Sequence, residues 1–382
     1  MISSVFQSPK KIIYGEGSVE QVGIETKKYG SKVMIITGRS SSKKTGALDK
    51  IIDSLKSENL QYIVFDKVES DPSVDTVDLG TKIAKEEDVN VIIALGGGSP
   101  LDAAKAIGIM IKNPGNIVDY ENKEPQVHGV PVIAVPTTAG TGSEVSRFIV
   151  ITDTKRKIKM LIGGEALVPE VAILDGELTL MVPSDVTAAT GMDALTHAIE
   201  AYISKKAQPA TNVQAVSAIS IISKNLAKAV QNGENIEARS NMLFAQMQAG
   251  FAFSNASVAL VHAMSRPLGA YFGVPHGLAN AILLPRVMEY NRAACPEKFK
   301  DIAEAMGENT EGLSLRDASN LAVKAVKDLY AETGLPTKLR DVGVKEEIIE
   351  DLAKDAIKSG SALVNPRKAS LEDLIEIYKS IY

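Results

Sequence analysis

Between residues 32 and 135, short apolar runs alternate with stretches in which apolar residues return every three or four positions. The apolar runs lie at Lys32–Thr37, Gln61–Phe65, Val91–Leu95 and Pro131–Val135. Their length and β-branched content predict strands, and their near-continuous apolarity predicts that both faces are covered. The intervening periodicity predicts helices over about Thr45–Ser57, Ser73–Glu87 and Ser99–Ile111, each preceded by Gly, Ser or Asp turn chemistry. Alternation of this kind builds a parallel sheet with helices on both faces, the outline of a nucleotide-binding domain. An outline alone predicts a fold class and no ligand.

After Pro183 the texture changes. Ala, Leu, Ile, Met and Lys dominate, β-branched runs disappear, and the three- and four-residue spacing continues to the C-terminus. At 382 residues the chain exceeds the size at which one core keeps growing, so two domains are expected. Pro183-Ser184-Asp185 is the expected hinge, with Pro ending one element and Ser or Asp capping the next helix. The expected division is an α/β domain over residues 1–182 and an all-α domain over residues 183–382. No repeat is visible, and Lys155-Arg156-Lys157 reads as a solvated turn.

Composition narrows the classes of function. Hydrophobic residues make up 45%, charged residues 23%, and the net charge is −5, with a mean hydropathy close to zero. A soluble globular protein is expected, without the clustered Lys and Arg that nucleic acid requires. Cys295 is the sole cysteine, which excludes an intrachain disulfide and a multi-thiolate zinc site. Neither the first 17 residues nor any later run is apolar for long enough to serve as a signal peptide or span a bilayer. A cytoplasmic location without membrane attachment is the expectation.

Four histidines occur, His128, His197, His262 and His276. In GMDALTHAIEAY, Asp193 and His197 sit four apart in a helical pattern, which puts carboxylate and imidazole on one face a turn apart. In VHAMSRPLGAYFGVPHGLAN, His262 belongs to a helical run, and His276 follows a break expected from Pro267, Gly269, Gly273 and Pro275. One carboxylate and three imidazoles suit Fe(II), Zn(II) or Mn(II). The competing reading is ordinary: a helix-surface Asp–His pair, and histidines serving turns or core hydrogen bonds.

Two further segments have the chemistry of phosphate loops. LGGGSPLDAAKA sets Gly96, Gly97, Gly98 and Ser99 between a strand and a helix, so that free amides face the strand's carboxyl end. It lacks the G-x-G-x-x-G spacing, and glycines after a strand are also common where nothing binds. AVPTTAGTGSEV likewise follows a strand. Thr137, Thr138, Thr141 and Ser143 supply hydroxyls there, and Gly140 and Gly142 allow close approach to the backbone.

Taken together, GGGSPLDAAKA, PTTAGTGSEV, GMDALTHAIEAY and VHAMSRPLGAYFGVPHGLANAILLP resemble the iron-containing, group III alcohol dehydrogenases. The likeness runs from KIIYGEGS to NPRKASLEDLIEIY and is nearest in motifs to the lactaldehyde (1,2-propanediol) oxidoreductases. It implies a dehydroquinate synthase-like architecture, with an α/β dinucleotide-binding domain, a helical domain and the metal in the cleft between. It implies Asp193, His197, His262 and His276 as ligands of Fe(II) or Zn(II), and dinucleotide contacts at Gly97, Gly98, Ser99, Thr137, Thr138, Thr141, Lys159 and Leu178. It also implies homodimers or higher homo-oligomers, and hydride transfer between a nicotinamide cofactor and a small primary alcohol or aldehyde held by the metal. The rival readings are a metal-assisted lyase or cyclase of the dehydroquinate synthase type and a non-catalytic nucleotide-binding relative; the motifs fit the first less well, and an intact ligand set argues against the second.

Two positions depart from the family pattern. Where NAD-using relatives place an Asp after an early strand, this chain has Gly38 in ITGRSSSKKTG. Gly38 and Ser40 leave room, and Arg39, Lys43 or Lys44 can pair with a 2′-phosphate, so NADP(H) is expected over NAD(H). The alternative is a solvated basic turn. Arg266 stands where many relatives carry a further, non-ligand His near the substrate. A guanidinium cannot act as a general base, so either it recognises an anionic substrate group or it pairs structurally with an Asp or Glu.

Overall fold

The computed structural model describes residues 4–156 and 158–382, so Lys157 of the expected basic turn lies outside the described residues. Contacts divide the described residues into two compact units, residues 7–182 and residues 183–382 together with residues 4–6.

The first unit contains strands β1 (Lys11–Tyr14), β2 (Lys32–Gly38), β3 (Gln61–Val68), β4 (Val91–Gly96), β5 (Val132–Pro136), β6 (Phe148–Asp153), β7 (Ile158–Gly163) and β8 (Val171–Leu174). Its helices are α1 (Val22–Lys27), α2 (Ser41–Lys44), α3 (Ala47–Ser57), α4 (Val74–Glu86) and α5 (Gly98–Lys112). Six strands form one sheet in the order β1-β8-β5-β4-β2-β3, every pairing parallel, and β6 and β7 form an antiparallel hairpin.

The expected parallel sheet covered on both faces is present, and side-chain alternation explains why its strands read as unbroken apolar runs. Val33, Ile35, Val91, Ile93, Leu95 and Ile133 join Leu48, Ile51 and Leu55 of α3 in one core. Met34, Ile36, Ile92, Ala94 and Ala134 join Val77 of α4 and Leu101 and Ile107 of α5 in the other. With a period of two, a strand buried on both faces needs an apolar residue at every position.

Two features of this unit differ from expectation. The helix foreseen from Thr45 begins at Ala47, after Gly46 with a left-handed φ of 73°, and the short α2 that precedes it was not foreseen. Strands β1 and β8 and the β6–β7 hairpin have no counterpart in the pattern. β1 is an edge strand with both ends exposed, and β8 has only four residues, too few to establish a period. The turn between β6 and β7 is exposed over residues 154–156, as expected, and Arg156 in it pairs with Asp153 at 2.6 Å and Glu121 at 2.7 Å.

The second unit is helical, as expected: α6 (Ser184–Ile203), α7 (Pro209–Gln231), α8 (Ile236–Ala256), α9 (Leu260–Phe272), α10 (His276–Asn291), α11 (Pro296–Ala305), α12 (Leu315–Thr333), α13 (Ile349–Ala356), α14 (Gly360–Leu363) and α15 (Leu371–Ser380). Neither Ser184 nor Asp185 caps α6. The N-cap is Pro183, whose carbonyl accepts from Thr187 N–H at 2.8 Å. Pro267 and Gly269 do not break the chain either; α9 runs through both to Phe272, and the break comes at Gly273 (φ 66°) and Pro275. An interior Pro costs about 3 kcal/mol. Burying Leu260, Met264 and Leu268 of the same helix, each contributing roughly 1.5–3 kcal/mol, outweighs that cost. No helix among the described residues is long and apolar enough to cross a membrane.

Candidate metal centre and cofactor loops

Asp193 and His197 lie one turn apart on α6, His262 is in the first turn of α9, and His276 opens α10. One donor atom from each lies within 4.8 Å of the other three. Asp193 Oδ1 is 3.8 Å from His262 Nε2, 4.0 Å from His197 Nε2 and 4.0 Å from His276 Nε2. Metal–nitrogen and metal–oxygen bonds of ~2.0–2.2 Å hold donors roughly 3–4 Å apart, so these four need move little to share one cation.

Close packing of α10 on α6 produces this convergence. A Cβ on Gly277 would stand 2.6 Å from the Ala189 carbonyl oxygen and 3.3 Å from Asp193 Cβ. Only glycine lets the first turn of α10 bring His276 beside Asp193. Asp193, His197 and His262 are buried, whereas the His276 side chain is 40% exposed, so the centre is open on that side.

Two residues that the sequence reading did not single out organise the centre. Glu200 Oε2 lies 2.7 Å from His262 Nδ1, and the same carboxylate accepts the backbone N–H groups of Ala259, Val261 and His262 at the start of α9. With Nδ1–H donating to Glu200, the Nε2 lone pair of His262 faces Asp193. Burial pushes the Glu200 carboxyl up to about 7 against the pull of those N–H groups. The signal for Glu200 was its place seven residues beyond Asp193 on the same helical face.

Asn280 is the second. Its fully buried amide nitrogen lies 2.6 Å from Asp193 Oδ1, 3.1 Å from His262 Nε2 and 3.2 Å from His276 Nε2, while its Oδ1 has no partner. An NH2 group has two hydrogens, yet three acceptors converge on it. The donor set therefore presents more lone-pair density to one point than a neutral amide can satisfy, which is what a cation site requires. Desolvation and the neighbouring imidazoles hold His262 and His276 below the ordinary imidazole range, so both offer lone pairs rather than protons. Phe253 stacks on His197 at 4.4 Å between ring centroids, which fixes that imidazole from behind.

In the other unit, the sheet order reverses between β2 and β4, since β3 lies outside β2 and the chain then returns to β2's other edge. Ligands of doubly wound folds bind beyond the carboxyl ends of strands at such a point. The loops there are Gly38–Ser40 after β2 and Gly97–Ser99 after β4, the second leading into the fifteen-residue α5. Gly96 has φ 144°, and a Cβ on Gly97 or Gly98 would press on Thr138 or Thr141 at 3.2 and 2.8 Å. Thr137 N–H donates to Gly96 O at 2.9 Å. Ser99 Oγ accepts from Asp71 N–H, and Asp71 pairs with Lys159 at 2.9 Å. Gly97, Gly98, Ser99, Thr137, Thr138, Thr141 and Lys159 thus gather around the N-terminus of α5.

Ser143, Leu178 and Lys43 are placed differently. The Ser143 hydroxyl donates to Asp102 and accepts from Lys105 Nζ, so it serves a buried network rather than a ligand. Leu178 is a core side chain of the sheet. Lys43 pairs with Asp66 on β3, which leaves Arg39 and Lys44 as the cations of that loop. His128 is exposed and separate from these clusters.

The chain thus combines a nucleotide-type parallel sheet with a helical unit that gathers one carboxylate and three imidazoles as a candidate metal centre. Family models described as iron-containing alcohol dehydrogenase and as the C-terminal part of the Fe-containing alcohol dehydrogenase family match residues 9–176 and 187–382. The chain is 44% identical over 377 residues to a 1,3-propanediol dehydrogenase of Citrobacter freundii, covering 98% of this chain and 97% of that one. It is 39% identical over 372 residues to a lactaldehyde reductase of Escherichia coli K12, covering 97% of each. A crystal structure of a 1,3-propanediol oxidoreductase superposes with a TM-score of 0.98 at 41% identity, covering all of both chains. The chain belongs to the iron-containing alcohol dehydrogenase family and is an enzyme, an alcohol dehydrogenase of that type.

Proposed function

We propose that the enzyme interconverts a small primary alcohol and its aldehyde, with one divalent metal held by Asp193, His197, His262 and His276 and with NADP(H) preferred over NAD(H). The observation that carries the metal reading is the gathering of four donor atoms within 4.8 Å of one another, three of them on the single amide of Asn280. The donor set suits Fe(II) and also accepts Zn(II). When bound, the metal supplies a Lewis acid for the alcohol or carbonyl oxygen, and the nicotinamide supplies the hydride chemistry. Residues 7–182 bind the dinucleotide and residues 183–382 the metal.

The chain's own residues do the positioning. Glu200 holds His262 in the tautomer that offers Nε2. Gly277 sets His276 against Asp193. The amides at Gly97 and Gly98, with the α5 N-terminus behind them, favour the pyrophosphate. At Gly38 no carboxylate repels a 2′-phosphate, and Arg39 and Lys44 carry no recorded ion pair among the described residues.

The test is to load the purified enzyme with Fe(II) or Zn(II), count bound metal, and follow NADPH and NADH oxidation with a panel of small aldehydes. About one metal per chain and metal-dependent NADPH consumption are expected. Turnover that survives complete metal removal overturns the metal reading, and a higher kcat/KM with NADH overturns the cofactor preference.

A further inference from the structure

Arg266 carries a charge that the centre does not balance. It lies four residues after His262 on α9, hence on the same helix face one turn on. Its Nη1 donates to the Ser359 hydroxyl at 3.0 Å, a neutral acceptor. Among the described residues no carboxylate lies within 4.0 Å of the guanidinium, so the structural ion pair that would have given Arg266 an ordinary role is not present.

The nearby acids are already committed. Glu200 acts on Arg266 electrostatically, but its oxygens take His262 Nδ1 and three backbone N–H groups. Asp193 faces the imidazole nitrogens. Neither carboxylate pairs directly with Arg266, whose charge has no ionic partner within 4.0 Å among the described residues. A half-buried guanidinium stays protonated and keeps most of its five donors unspent. One turn beyond His262 on the same face of α9, those donors lie on the side of the helix that carries the candidate ligand.

We propose that Arg266 is a specificity residue for an oxyanion carried by the substrate, so that the enzyme acts on a short aldehyde or alcohol bearing a terminal carboxylate or sulfonate. The inference rests on the dehydrogenase reading of this centre. A planar guanidinium with unspent parallel N–H groups matches either anion in bidentate fashion, and the metal then receives the other end of the molecule.

The experiment compares the metal-loaded wild type with Arg266→Gln and Arg266→Lys on succinic semialdehyde, sulfoacetaldehyde and the neutral butanal. In parallel, calorimetry measures binding of the unreactive anions butanoate and propane-1-sulfonate. A lost hydrogen bond to a charged group corresponds to roughly tenfold or more. The Gln variant should therefore lose at least about tenfold in kcat/KM on the anionic aldehydes, mainly through KM, and about as much in anion affinity, with butanal and NADPH little affected. The Lys variant should recover part of the loss. The more affected aldehyde identifies carboxylate or sulfonate as the preferred group. An unchanged anionic-to-neutral ratio together with unchanged anion binding overturns the proposal while leaving the dehydrogenase reading intact. Equal losses on all aldehydes, or a loss confined to NADPH, also overturns it. If no aldehyde is turned over, the dehydrogenase reading falls, and the calorimetric comparison still decides whether Arg266 binds anions.

Discussion

Glu200 Oε2 lies 2.7 Å from His262 Nδ1, and the same carboxylate receives the backbone N–H groups that open α9. One buried side chain thus fixes both the tautomer of a candidate ligand and the start of the helix that carries it. Replacing Glu200 by Gln keeps the shape but removes the charge opposite His262. Metal affinity should fall about 10–100-fold, measured by competition with a chromogenic chelator. Wild-type affinity in this variant would show that His262 is oriented by something else.

Gly277→Ala tests the packing that delivers His276. The added Cβ would meet the Ala189 backbone oxygen at 2.6 Å, and neither group is the end of a flexible side chain. α10 must therefore shift away from α6 and take His276 from Asp193. Bound metal should drop well below one per chain while helical circular dichroism is retained. Full metal occupancy would mean that the helices accommodate the methyl group without moving His276.

Cofactor choice is separable from the metal. Gly38→Asp restores a negative charge beside the 2′ position and should move preference toward NADH by about tenfold to a hundredfold in the ratio of kcat/KM values, a change of roughly 1.4–2.7 kcal/mol. Arg39→Ala with Lys44→Ala should weaken NADPH alone. An equal effect of either change on both cofactors would place the 2′-phosphate elsewhere.

Lys105 is buried, and its Nζ donates to the carbonyls of Ser143, Ser146 and Phe148 at 3.0, 2.9 and 2.7 Å. Asp102, on the same helix, accepts from the Ser143 hydroxyl and from Val150 N–H. This network ties α5 to the segment that follows Thr141. Burial lowers the Lys105 ammonium to about 8 and raises Asp102, each opposing the other's shift. Lys105→Met strands the Asp102 carboxylate and should cost about 3–5 kcal/mol, measured by denaturant unfolding. Adding Asp102→Asn should recover part of it. A loss under 1 kcal/mol in the single variant would show that water replaces the ammonium.

The order of strands and helices in the first half and the helical character of the second were legible because hydrophobic periodicity is local. VIIAL between helical patterns reads as a strand whatever its neighbours are. The candidate ligand quartet was legible as chemistry, since only four histidines exist and Asp193 and His197 share a helix face. Arg266 and Gly38 stood out as departures from a recognised pattern.

Tertiary structure decided what sequence spacing could not express. β1 pairs with β8 across more than 150 residues, a contact with no local trace in four-residue strands. Pro267 remains inside α9 because buried packing outweighs a local penalty. Asn280 and Glu200 read as ordinary helix residues until three helices place their polar atoms on Asp193 and His262. Lys43 meets Asp66, and Ser143 meets Lys105 and Asp102, through partners on other elements. Local pattern determines which segments are helix or strand, because burial periodicity is written residue by residue. Which donors meet, and which charges remain unpaid, depends on distances between segments, and only the folded chain sets those.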